Sequence, residues 1–133
     1  MTRKDSREQA FILLFEYSFN ASSAEDLFDV AREAGIFKED EYCDRLVRAA
    51  IDNIGEIDSV IDSLANGWSA QRLSKVSLAA LRLAITEIRS FDDIPNAVSI
   101  NEAVELIKKF ATEQDASFAN GILGTFVKEI ENS

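Results

Sequence analysis

Histidine is absent from this sequence, cysteine and proline occur once each, and only five glycines are spread over its 133 residues. Without histidine there is no imidazole to move protons near neutral pH or to ligate a metal. The single Cys43 can form no disulfide within the chain, and such sparing use fits a reducing, cytoplasmic setting. Few helix breakers point to a helical protein. No apolar run approaches the ~20 residues that a membrane-spanning helix needs. The start lacks the apolar stretch and small-residue cleavage site of a secretory signal, so neither membrane nor export is expected. Phosphate-binding loop, dinucleotide fingerprint and nucleophile elbow are all missing, and no enzyme, cofactor or metal site is expected. Asp40, Glu41 and Asp44 lack a calcium-loop pattern and read as an acidic helix start. Glu102 and Glu105 share a helix side without the histidine of a di-iron motif.

What is present is charge, unevenly placed. Apolar residues make up 47% and charged residues 29%, as in a globular domain, and the net charge is −10. Residues 21–66 hold twelve acidic and four basic side chains, whereas residues 67–90 hold four basic and one acidic. The first twenty residues are balanced, with three of each sign. The overall acidity disfavours indiscriminate nucleic-acid binding, but a locally basic segment can still meet a polyanion.

One domain of 133 residues is expected, with a division between subdomains 1–66 and 67–133 at Asn66-Gly67, followed by Trp68. The first helix spans about 5–19. Phe11 to Phe15 are consecutive apolar residues covering most of its circumference, so it is buried nearly all round or shares a side with a partner. Ser23 caps a second helix ending at Gly35. A third starts near Lys38 to Asp40, and Gly55 suggests a break before a fourth segment carrying Ile57, Val60, Ile61 and Leu64. The fifth runs from about Ser74 to Phe91. A sixth follows Pro95, with Ser99 as cap and Glu102 completing a capping box. The last starts near Asp115 or Ser117. It contains Gly121 and Gly124, whose cost of ~1 kcal/mol each suggests a close helix–helix approach.

Three features are candidates for binding. Arg3, Lys4 and Arg7 form a basic start diluted by Asp5 and Glu8. Lys75, Arg82 and Arg89 recur every seven residues, which on a helix drifts by only ~20° per step. They form either a solvated edge or a contact stripe for an anionic surface. Phe118, beside the polar turn TEQDAS, is either core or an aromatic on which an unpaired base stacks. Cys43 and Trp68 read as packing residues.

The run SINEAVELIKKFATEQDASFANGILG at 99–124 resembles the NusB transcription antitermination family. The matching residues are Ile100 to Leu106, Lys108 and Phe110, then Phe118, Asn120, Gly121 and Leu123. LRLAITEI at 81–88, Pro95, Trp68, Arg72 and the Arg7-Glu8, Ala10, Leu14 pattern extend the resemblance over nearly the whole chain. The resemblance implies an all-α fold of about seven helices in two small, roughly perpendicular bundles. It implies a transcription antitermination factor that binds boxA-type single-stranded RNA together with NusE, a ribosomal protein. The complex helps RNA polymerase read through ribosomal RNA operons. On this reading Arg3, Lys4 and Arg7 steer phosphates and Phe118 reads a base, while NusE meets the chain near Lys75, Ser77 and Arg82. The family also occurs ahead of an RNA methyltransferase domain, for which a sequence ending at Ser133 leaves no room. Two positions depart from the pattern: the arginine run at the start is thinner, and Ser117 stands where a basic residue is common. The alternative is a helical protein-interaction module or homodimer of the same fold with little RNA affinity.

Overall fold

The computed structural model describes residues 1–65 and 73–133, so the expected boundary at Asn66-Gly67, Trp68 and Arg72 lie outside the described residues. Seven helices and no strand are found among the described residues: α1 Arg3–Phe19, α2 Ala24–Glu33, α3 Glu41–Asp52, α4 Ile54–Leu64, α5 Lys75–Ser90, α6 Asn96–Phe110 and α7 Glu113–Glu131. Polar side chains start most of them. Thr2, Ser23, Asp40, Ser74 and Thr112 each accept a hydrogen bond from the backbone amide three residues on, satisfying donors that the first turn leaves unpaired. The chain leaves α2 through Gly35, whose φ of +75° suits glycine.

α5 is the central element. It packs against α1, α3, α4, α6 and α7, and every residue from Ser77 to Glu87 is buried. Leu81 and Ile85 are fully enclosed, each burial stabilising by about 1.5–3 kcal/mol. α1 runs antiparallel to α5, with Arg7 beside Glu87 and Ser18 beside Arg82. It runs parallel to α6, with Lys4 beside Glu102 and Glu8 beside Lys109.

Several expectations are corrected. The helix buried nearly all round is α5, while α1 buries Phe11, Leu13 and Leu14 and leaves Ile12 exposed, which leaves the second of its two expected arrangements. The break before α4 falls at Asn53, and Gly55 lies inside the helix. α6 begins at Asn96 without a side-chain cap, three residues before Ser99, because the Ser99 hydroxyl is drawn into the core by Glu87. The close approach expected at Gly121 and Gly124 is not found. A methyl group at either would meet nothing within 4 Å among the described residues, and Gly121 is exposed. Cys43 is fully buried as expected, and burial pushes its thiol up to about 11.

Candidate RNA-binding surface

Residues Arg7, Ala10, Phe11 and Leu14 recur at helical spacing along the inner side of α1, so Arg7 points into the protein. Its guanidinium Nε donates to Glu87 Oε2 at 2.8 Å, with Arg7 5% and Glu87 1% exposed. The Tyr42 hydroxyl donates to the same oxygen, and Ser99 Oγ donates to Glu87 Oε1 at 2.5 Å. One carboxylate thus joins α1, α3, α5 and α6. Burial, followed by its hydrogen bond to Glu87, pushes the Tyr42 phenol up to about 12, so it remains a donor.

Arg3 and Lys4 stand at the open end of this cluster. The Arg3 guanidinium lies 3.8 Å from the centre of the Tyr42 ring, a cation–π contact that orients it. Lys4 Nζ is 3.2 Å from Glu102 Oε2, but the lysine side chain is 68% exposed. An exposed pair contributes only ~0–1 kcal/mol, so a phosphate can displace the glutamate. Lys109 makes a similar pair with Glu8 at 2.6 Å.

Phe118 is not a core residue. It is 37% exposed and lines a cavity of about 580 Å³ with Leu73, Ser74, Ser77, Gln114, Asp115 and Ser117. The N-termini of α5 and α7 meet here, since Ser74 caps one helix and Gln114 and Ser117 lie in the first turns of the other. α5 has no acidic residue in its first turn to offset its positive end. The structure therefore brings Ser77 and Phe118 together. It keeps Arg3 and Lys4 at the other end of α5: Ser77 and Glu87 are ten residues apart, about 15 Å of helix.

The stripe at 75, 82 and 89 is mostly occupied within the molecule. Arg82 is 7% exposed and grips Asp58 of α4 through two bonds of 2.9 and 2.8 Å. Arg89 reaches Glu56, also on α4, at 3.1 Å. Lys75 lies 5.8 Å from the Phe19 ring at the N-terminus of α5. The heptad spacing thus holds α5 to α4, a third role beyond the two weighed from sequence.

The family model described as the NusB family matches residues 4–128. The chain belongs to the NusB family. It is 40% identical to the transcription antitermination protein NusB of Natranaerobius thermophilus over 100% of this chain and 99% of that one. It is 42% identical to the protein of that name from Agathobacter rectalis, over 95% of this chain and 99% of the other. Among solved structures, it matches NusB in a complex of the antitermination factors NusB and NusE with double-stranded RNA, with TM-score 0.83, 32% identity and 96% of each chain covered. It matches the solution structure of NusB from Aquifex aeolicus with TM-score 0.82 and 35% identity, over 98% of this chain and 91% of that one. The family is one of transcription antitermination proteins, not enzymes. No helix among the described residues is long and apolar enough to cross a membrane.

The hub at Glu87 was missed from sequence alone. Its signal was there: a carboxylate between Ala84, Ile85 and Ile88 on the apolar side of α5, and Arg7 in phase with Ala10, Phe11 and Leu14.

Proposed function

We propose that this chain is a cytoplasmic transcription antitermination factor that binds boxA-type single-stranded RNA together with the ribosomal protein NusE, helping RNA polymerase read through ribosomal RNA operons. The observation that carries the reading is Phe118, 37% exposed at the mouth of a cavity lined with hydroxyl and amide groups and one carboxylate, Asp115. Single-stranded RNA is recognised by unstacked bases lying on aromatic rings and hydrogen-bonded at their edges, and this cavity offers both. The N-terminus of α5, with no acidic residue in its own first turn, and Lys75 supply positive potential beside it, partly offset by Asp115. Arg3 and Lys4 steer phosphates at the far end of α5, and Arg7 supports them by fixing α1 to Glu87. The solved complex of a family member with NusE and RNA supports the same pairing of partners here.

On this reading NusE meets the N-terminus of α5 near Lys75, with Ser77 buried beneath it and Arg82 holding that helix to α4. The decisive experiment is a titration with boxA-like RNA, with and without NusE. The acidic residues of the 21–66 segment make weak binding by the chain alone the expected result, with tighter binding once NusE is added. A chain that binds neither RNA nor NusE would leave the alternative, a protein-interaction module of this fold. Lys75→Glu should weaken the NusE complex without loss of helix content, and unchanged affinity would move the interface elsewhere.

A further inference from the structure

A second open surface begins beside Arg3 and Lys4 and runs away from them to where α1 faces α2 and the loop leading to α3. Its floor is apolar: Leu13 and Ala31 are buried there, and Phe37 packs beside them. The loop is held in place by Gln9, whose amide group donates to the Lys38 carbonyl at 2.8 Å and accepts from the Lys38 amide at 3.0 Å. The resulting groove encloses about 310 Å³. A smaller one of about 260 Å³ shares Glu16 with it and continues to Val30 and Asp26.

The edges of this trough combine two features that a solvated surface has no reason to combine. Ile36 is 72% exposed, Val30 60% and Ile12 39%, each a large apolar side chain left in water. Asp5, Glu16 and Asp26 stand among them, and none makes an ion pair among the described residues. Among the described residues Lys38 is the one basic side chain lining either groove, and Met1 brings the amino terminus to the larger.

We infer that this trough docks a cationic amphipathic segment of a partner protein, its apolar side chains meeting Ile12, Ile36 and Val30 and its lysines or arginines meeting Asp5, Glu16 and Asp26. An amphipathic helix laid into an apolar groove is a recurrent mode of recognition, and complementary charge sets its orientation and rate. The charge selects the occupant. RNA is repelled by the acidic rim. A second copy of the chain would bring up the same acidic rim of Asp5, Glu16 and Asp26.

The probe is a fourteen-residue synthetic helix of leucine and lysine, titrated into isotopically labelled protein and followed by amide chemical shifts. Two control peptides replace lysine by glutamate or leucine by serine. The expected result is binding of the leucine–lysine peptide alone, with shifts confined to Ile12, Glu16, Ala31 and Ile36 and affinity falling as salt rises. Ile36→Glu, at an exposed loop position, should weaken it at least tenfold, and Glu16→Lys at least threefold. Both variants should keep wild-type affinity for boxA-like RNA, which separates this surface from the RNA site. Shifts centred elsewhere, equal binding of the serine control, or unchanged affinity in Ile36→Glu would overturn the assignment. So would a dimer in sedimentation that Ile36→Glu dissociates, since the trough would then belong to a second copy.

Discussion

Arg7 and Glu87, eighty positions apart in sequence, form a buried ion pair with 2.8 Å between Nε and Oε2. The glutamate also accepts from Tyr42 and Ser99, so its carboxylate is fully engaged. Removing one partner of such a pair leaves the other charge buried and uncompensated, a loss of about 3–5 kcal/mol. Glu87→Gln should lower stability by that amount, measured as the denaturation midpoint in urea. A change below ~1 kcal/mol would show that water reaches the cluster.

The same pair separates the roles of the three N-terminal cations. Each phosphate contact to single-stranded RNA adds ~0.7 to the salt slope. Arg3→Ala with Lys4→Ala should therefore flatten the slope by ~1.4, equivalent to roughly sevenfold in affinity over a fourfold change in salt. Arg7→Ala should destabilise the fold yet leave the slope of the folded protein unchanged, because its guanidinium faces Glu87 and not solvent. RNA affinities at four salt concentrations decide the matter, and a flattened slope in folded Arg7→Ala would make Arg7 a phosphate ligand.

Phe118→Ala should behave in the opposite way. It removes an exposed ring at a cavity mouth, so RNA affinity should fall by the ~1–3 kcal/mol of one base stack. The salt slope and thermal midpoint should hardly move. A large drop in stability with intact RNA affinity would return Phe118 to a packing role.

Gly121→Ala should raise stability. The residue is helical and exposed, and the new methyl meets nothing within 4 Å among the described residues. Alanine then gains about 0.5–1 kcal/mol of helix propensity with no clash to oppose it. A lower midpoint in thermal unfolding would place an unseen neighbour against this face.

Tyr42 gives the fold an alkaline limit. Its phenol titrates near 10 when unfolded and about 12 when folded, so the folded state favours the protonated ring. That stability is present in full below pH 10 and is lost as pH rises through about 12. Urea midpoints measured across this window should fall more steeply for wild type than for Tyr42→Phe. Parallel curves would show that Tyr42 is not the group responsible.

Secondary structure was legible because its causes are local. Ser23 and Ser74 open helices where their caps and the following apolar spacing place them, and Gly35 ends one. The family was legible from two C-terminal blocks at fixed spacing. The capping box at Ser99 and Glu102 misled because the same hydroxyl can serve a backbone amide or a distant carboxylate, and Glu87 was nearer. Gly121 misled because sequence records a weak helix former without its surroundings.

The residues of the chain by themselves determined which segments are helical, where most of them start, that histidine chemistry and an internal disulfide are excluded, and that the positive charges cluster at 3–7 and 72–89. Tertiary structure alone decided which of those charges face water. Arg7 and Arg82 are spent on Glu87 and Asp58, while Arg3, Lys4 and Lys75 are turned toward the surfaces proposed for binding. The reason is range. A cap or an apolar stripe is fixed within a few residues, but an arginine becomes structural only when folding brings a carboxylate from 24 or 80 positions away to within hydrogen-bonding distance.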